Sequence, residues 1–177
     1  MKLVILDRDG TINHDSDQFI KSPNEWRPIE GSLDAIARLN QADYRVVVAT
    51  NQSGIARGLF DTATLVAIHD TLQRAVMQVG GRIDAFFFCP HAADSACACR
   101  KPQPGMLLEV ARRFNVSLKD TYMVGDHLRD VAAAAAAGAR PVLVLTGRGR
   151  KTQSEGKLPP GTEVFEDLAA FAEHVAP

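Results

Sequence analysis

Leu3-Val4-Ile5-Leu6-Asp7-Arg8-Asp9-Gly10-Thr11 is an apolar run of four that passes directly into two carboxylates, a guanidinium and a glycine. Four consecutive apolar residues suit a strand covered on both faces, as the inner strands of parallel sheets are. The polar residues then fall at the strand's C-terminal end, where open α/β sheets place their ligand crevice. The same order of events recurs further along: residues 46–49 lead into Thr50-Asn51-Gln52-Ser53, and residues 122–124 lead into Gly125-Asp126-His127. Residues 83–88 and 141–145 complete a set of five expected strands.

Helix-like segments separate these runs, the alternation that a parallel sheet with crossover helices produces. Leu33, Ile36, Ala37 and Leu39 recur at roughly helical spacing within residues 32–40, and Asp61 can cap a longer helix reaching about residue 79, before Gly80-Gly81. Pro104 suits the first turn of a third helix ending near Phe114. The alanine run 132–137 followed by Gly138 reads as a crossover helix with a C-cap glycine. Residues 147–162, rich in glycine, proline and charge, read as a surface loop before a terminal helix over 167–175. The expected fold is α/β: a three-layer, Rossmann-like parallel sheet flanked by helices, in a single domain spanning residues 1–177.

Composition narrows the function. At 46% apolar and 23% charged residues the chain can bury a core. Twenty Lys plus Arg against 21 Asp plus Glu leave a net charge of -1, which argues against nucleic acid or an anionic membrane as partner. No apolar run approaches the roughly 20 residues of a membrane span, and the first apolar stretch meets Asp7 too early for a signal peptide. A cytoplasmic location is the expectation.

Asp7 and Asp9 bracket Arg8, so on an extended strand end both carboxylates point to one side and Arg8 to the other. Facing carboxylates repel unless a proton or cation lies between them. A hard ion such as Mg²⁺ meets that need and leaves one carboxylate as nucleophile and the other for proton transfer. A solvated loop with a helix cap is the plain alternative. Asp126 opens a helix, where it is either a second metal carboxylate or a cap, and Asp130 one turn on can orient a cation. Lys101 offers a point charge for a phosphate oxygen, and Thr50 a hydroxyl donor. Cys89, His91, Cys97 and Cys99 lie within eleven residues. Three thiolates and one imidazole form a closed set suited to structural Zn²⁺, which would cinch a tight loop and fix Arg100 and Lys101 at the crevice. His69 reads as a surface or packing residue of the second helix. His127, beside Asp126, is a candidate contact to the distal part of a substrate.

Asp7-Arg8-Asp9-Gly10-Thr11, Val46-Val47-Val48-Ala49-Thr50, Lys101 and Gly125-Asp126 with Asp130 together resemble, in order, the four motifs of the haloacid dehalogenase superfamily of phosphotransferases. The resemblance implies the HAD-like sheet, with Asp7 attacking phosphorus and Asp9 acting first as acid and then as base. It implies Mg²⁺ held by Asp7, the Asp9 carbonyl and Asp126, and a phosphoryl group steadied by Thr50 and Lys101. The zinc loop joined to Arg100-Lys101-Pro102 is similar to a small capless subgroup, and only about twenty residues are available for an insertion between the first two strands. Heptose 1,7-bisphosphate and histidinol phosphate are the known substrates in that subgroup. The loop Thr50-Asn51-Gln52-Ser53-Gly54-Ile55-Ala56-Arg57-Gly58 looks like the heptose side. The implied partner is therefore a sugar bisphosphate, bound by a monomer during synthesis of nucleotide-activated heptose for lipopolysaccharide. By the resemblance Asn51, Gln52 and Ser53, with Asp15, Ser16, Asp17 and Gln18, face the sugar, although the last four depart from the subgroup's aromatic and glycine residues. Arg100 is the candidate for the non-reacting phosphate, and His127 for the distal part of the substrate. A non-catalytic metal-containing binding module is the alternative of a different class, and retention of both Asp7 and Asp9 argues against it.

Overall fold

Leu3, Val4, Ile5 and Leu6 are all at most 1% exposed, and they divide by alternation between two cores. Val4 and Leu6 join Val46, Val48 and Val124 in one cluster, while Leu3 and Ile5 join Val47, Ala49 and Met123 in the other. A side-chain period of two is what sends one run of residues to both faces of a sheet. The computed structural model describes residues 1–177. Its sheet comprises β1 (Lys2–Leu6), β2 (Tyr44–Asn51), β3 (Ala85–Cys89), β4 (Tyr122–Gly125), β5 (Arg140–Val144) and β6 (Glu163–Phe165). The order is β3-β2-β1-β4-β5-β6, with every pairing parallel.

Helices α1 (Ser32–Gln41), α2 (Thr62–Gln78) and α6 (Leu168–Val175) cover one face through Ile36, Leu39, Ile68, Leu72 and Phe171. Helices α3 (Gly105–Phe114) and α4 (Leu128–Ala137) cover the other through Leu107, Val110, Ala133 and Ala134. Each start has a local cause. Asp61 accepts the Thr64 N–H at 2.8 Å and Asp167 the Ala170 N–H at 2.8 Å, satisfying donors that a helix leaves orphaned. The alanine run of α4 ends at Gly138, whose φ of 77° is the left-handed cap that glycine adopts without strain.

Two expectations need correction. Residues 147–162 are not a plain loop, because Gly149–Ser154 form a short helix, α5, and β6 follows as a sixth strand. Neither has an apolar pattern of its own. β6 is a three-residue edge strand ordered by its ladder to Val142, Leu143 and Val144, with Phe165 set edge-on to Phe171. The expectation that every strand is buried on both faces also fails at β3. It is the opposite edge, so Ala85, Phe86 and Phe88 stay half-buried.

Candidate active site

The strand order reverses on either side of β1 and β4, and ligands of open α/β sheets bind at such a switch point, beyond the strands' C-terminal ends. Asp7 follows β1 and Asp126 follows β4, both nearly inaccessible at 3% and 2%. Beyond Asp7 the chain turns at once. The N–H groups of Ile12 and Asn13 bond the Arg8 carbonyl at 2.8 and 3.2 Å, with Gly10 at a φ of 83°. A Cβ on Gly10 would run into the Asp126 carboxylate, so glycine lets the two loops meet. Thr146 Oγ1 donates to the Gly10 carbonyl at 2.7 Å, and the Arg148 N–H donates to Asp126 at 2.8 Å, which ties the loop before α5 to the same point.

Lys101 is 1% exposed, and its Nζ lies 2.8 Å from Asp7, 2.7 Å from Asp130 and 2.8 Å from the Ala49 carbonyl. Burial disfavours its charge, but the two carboxylates outweigh burial and raise its pKa, so it remains an ammonium. Oxygens of Asp7, Asp126 and Asp130 lie within 4.8 Å of one another. Burial, then the charge of Asp130, pushes Asp7 up to about 6, and burial with Asp130 and Asp7 pushes Asp126 up to about 8. Three converging carboxylates against one ammonium leave a deficit of positive charge that a hard divalent cation with oxygen ligands fits.

Asp9 departs from the expected geometry. Its carboxylate does not join that cluster, and Arg8 does not point away from it: Arg8 Nε and Nη2 donate to its two oxygens at 2.9 and 3.1 Å. The period-two rule fails because β1 ends at Leu6 and the chain is already turning. Asn13 Nδ2 and Gln52 Nε2 add donors at 2.9 and 3.0 Å. Burial pushes the Asp9 carboxyl up, but Arg8 and these amides outweigh it and hold it below the ordinary value.

The soft set converges as well. Cys89 Sγ lies 3.7 Å from Cys97 Sγ, 3.0 Å from Cys99 Sγ and 3.4 Å from His91 Nδ1, and all four ligand atoms are mutually within 4.8 Å. A tetrahedral zinc with Zn–S near 2.3 Å would place its sulfurs about 3.8 Å apart, so the cluster has nearly that size. Burial, then the neighbouring Cys99, pushes the Cys89 thiol up to about 12, a cost that a bound cation removes.

Beside the carboxylates opens a cleft of about 190 Å³, lined by Asp9, Asp15, Ser16, Asp17, Asn51, Gln52, Ser53 and Arg100 among others. Gln18 and His127 are not part of that lining. Gln18 lies exposed, with its carbonyl accepting from Lys21 Nζ at 2.9 Å. The imidazole of His127 caps α4 instead, its Nδ1 accepting the Arg129 N–H at 3.2 Å, while Asp130 returns the bond to the His127 N–H at 3.0 Å.

A family model described as HAD-hydrolase-like matches residues 98–171. The D-glycero-beta-D-manno-heptose-1,7-bisphosphate 7-phosphatase of Bordetella bronchiseptica is 63% identical, with 99% of this chain and 98% of that protein covered. The protein of the same name from Neisseria meningitidis serogroup A is 51% identical, covering 99% and 95%. A crystal structure of D,D-heptose 1,7-bisphosphate phosphatase from B. bronchiseptica, complexed with magnesium and phosphate, superposes with a TM-score of 0.97 over 99% of this chain and 98% of that one. The chain belongs to the heptose-1,7-bisphosphate 7-phosphatase family of HAD-like hydrolases.

In this member of the heptose-bisphosphate phosphatase family several site residues carry no clear sign in the sequence. Arg129 and Arg148 line the cleft beside Arg100, and Arg148 reaches Asp15 at 3.4 Å and Asp17 at 3.3 Å. Asn51 lines the cleft, yet its amide both donates to the Lys101 carbonyl and accepts from the Lys101 N–H, each at 3.0 Å. Gln52 is 3% exposed and divides its amide donor between Asp9 and Thr50. Residues read as sugar contacts thus also bond Lys101, Asp9 and Thr50. Only the polar strand ends hinted at this, since hydrogen bonds of this reach have no signature in spacing.

Proposed function

We propose that the protein removes the 7-phosphate of D-glycero-D-manno-heptose 1,7-bisphosphate through an aspartyl-phosphate on Asp7. The observation that carries this reading is Lys101 seated against Asp7 beside a cleft bearing three guanidinium groups, Arg100, Arg129 and Arg148. An Asp7 oxygen attacks phosphorus, the bond from phosphorus to the sugar oxygen breaks, and Asp9 gives that oxygen a proton that it takes up when the anionic phosphate binds beside it. Asp9, now a carboxylate, takes a proton from water as the water oxygen attacks the aspartyl-phosphate. The bond to Asp7 breaks, and inorganic phosphate leaves. Lys101 and Thr50 oppose the charge of the transferred group, which is most of what phosphoryl transfer asks of a protein. Asp7, Asp126 and the Asp9 carbonyl are the proposed holders of Mg²⁺, which when bound adds positive charge at the phosphoryl oxygens. Cys89, His91, Cys97 and Cys99 are the proposed ligands of a structural Zn²⁺.

The second phosphate decides between substrates. A bisphosphate brings an anion to the cleft arginines, whereas histidinol phosphate brings a protonated amine that they repel. No helix is long and apolar enough to cross a membrane. We take the enzyme to act in the cytoplasm, as a monomer, on a small-molecule substrate. With Mg²⁺ present, kcat/KM for heptose 1,7-bisphosphate should exceed that for histidinol phosphate by roughly tenfold or more, as expected from one charge-assisted contact. Equal or inverted preference would overturn the substrate. Asp7→Asn should abolish turnover of both, and activity within about tenfold of wild type would remove Asp7 as nucleophile.

A further inference from the structure

Arg8 is the largest fully buried side chain of the protein, at 0% exposure, and phosphoryl transfer as described gives it no direct part. A guanidinium in such a place must satisfy its N–H groups within the protein. Nε and Nη2 are spent on the two oxygens of Asp9. Nη1 lies 3.2 Å from Nε2 of His69, from the middle of α2. Guanidinium nitrogens donate and never accept, so Nε2 must present its lone pair, and His69 is neutral with its proton on Nδ1. The ring is 6% exposed and stacks on Phe86 of β3, with centroids 4.4 Å apart and planes 13° from parallel. Burial, then the charge of Arg8, pulls its pKa down to about 3, in keeping with a neutral acceptor.

Three elements therefore converge on one carboxylate. β3 orients the His69 ring, α2 supplies the acceptor, and the turn after β1 supplies Arg8 and Asp9. We propose that His69 is a positioning residue of the phosphatase reaction: its neutral imidazole holds Arg8 in the orientation that grips both Asp9 oxygens, and so aims the group that moves protons. The proposal rests on the reading of Asp9 as acid and base. Without an acceptor at that point Arg8 Nη1 is a buried, unsatisfied donor, which costs about 1–3 kcal/mol unless the guanidinium swings away and releases one of its bonds to Asp9. Asn13 and Gln52 would still hold the carboxylate, but from other directions and without the two-point fork.

The test compares His69→Phe, which keeps an aromatic ring against Phe86 but has no acceptor, with His69→Gln, whose amide oxygen can reach the place of Nε2. An aryl phosphate with a good leaving group needs no proton from Asp9 to form the phosphoenzyme, but its hydrolysis still needs Asp9 as base. His69→Phe should therefore lower kcat by about tenfold, the rate equivalent of one hydrogen bond to a charged group, with KM nearly unchanged. Phosphoenzyme should accumulate in rapid-quench samples, and His69→Gln should recover most of the rate. A His69→Phe rate within about twofold of wild type, equal slowing of phosphoenzyme formation and hydrolysis, or no rescue by Gln would overturn the proposal. Nitrogen-15 NMR of the wild-type protein tests it without any variant: a His69 proton on Nε2, or an imidazolium at neutral pH, overturns it as well. Asp9→Asn separates the two layers. If Asp9→Asn hydrolyses its phosphoenzyme at the wild-type rate, the reading of Asp9 falls and this proposal with it. If it stalls while His69→Phe does not, only this proposal falls.

Discussion

Asp7 and Lys101 are 94 residues apart in the chain and 2.8 Å apart in the fold. Both stood out in the sequence, Asp7 by its abrupt place after an apolar run and Lys101 by its place after the cysteines. The role of Arg8 did not, because His69, which its Nη1 meets, lies on another element. Arg100 follows Cys99 directly and lines the cleft, with Nη1 donating to the His91 carbonyl at 3.3 Å. In the proposed reaction it meets the part of a substrate that does not react, whereas Lys101 meets the part that does. Arg100→Ala should therefore cost heptose bisphosphate about tenfold to a hundredfold more in kcat/KM than a simple aryl phosphate, the worth of one charge-assisted hydrogen bond. Lys101→Ala should damage both alike. Equal losses for Arg100→Ala on the two substrates would assign it to loop structure instead.

At the scale of elements, long periodic helices and central strands were legible, and α5 and β6 were not. A six-residue polar helix and a three-residue edge strand draw their order from neighbours, in these cases from Asp126 and from β5. The loop from Cys89 to Cys99 is different, since its ligand types and spacing form a metal-site pattern before any fold is known. The proposed zinc would act along the backbone, as Lys101 lies two residues beyond Cys99 and is pinned again by Asn51. Protein purified without added zinc should carry close to one zinc per chain, while Mg²⁺ exchanges freely. Cys97→Ser should lose the zinc and lose kcat on every phosphate ester, because it loosens Lys101 along with Arg100. Less than about a tenth of an equivalent of zinc or iron by metal analysis would count against the site.

The whole molecule sets the balance between the buried acids and its stability. Asp126 rises from 3.8 to about 8 on folding, so between those values the folded state binds more protons than the unfolded one, and stability falls as pH rises. His69 falls from 6.5 to about 3, which gives the opposite slope below 6.5 and none above it. The two effects compete at acid pH, and from about 6.5 to 8 the carboxylate is opposed by the Cys97 thiol, where the Arg100 backbone N–H and the neighbouring thiols outweigh burial and bring it down to about 6. Metal-free wild-type protein should thus lose on the order of 1 kcal/mol more over that interval than Asp126→Asn, which keeps the thiol and lacks the carboxylate, a difference in Tm of ~2–4 °C. Mg²⁺ should restore more at pH 8 than at pH 6.5, since it takes the place of the proton. Parallel Tm curves for metal-free wild type and Asp126→Asn, measured by calorimetry across the interval, would contradict the burial argument for Asp126.

What the sequence determined by itself is whatever depends on neighbours along the chain: the period-two and helical runs, the caps at Asp61 and Asp167, the alanine helix with its glycine stop, and the four-ligand loop. From these followed the α/β class, the crevice at the strand ends and the identity of Asp7, Asp126 and Lys101 as its residents. Only the tertiary structure decided that Asp9 turns to Arg8, that Asp130 joins Asp7 around Lys101, that Asn51 and Gln52 bond Lys101 and Asp9, and that His69 meets Arg8. Each of these is a distance of a few ångströms between elements whose separation is set by how two cores pack against one sheet, and a hydrogen bond that short depends on the sum of all those packings. A local pattern specifies an element, but the meeting of side chains from different elements is a property of the assembled molecule.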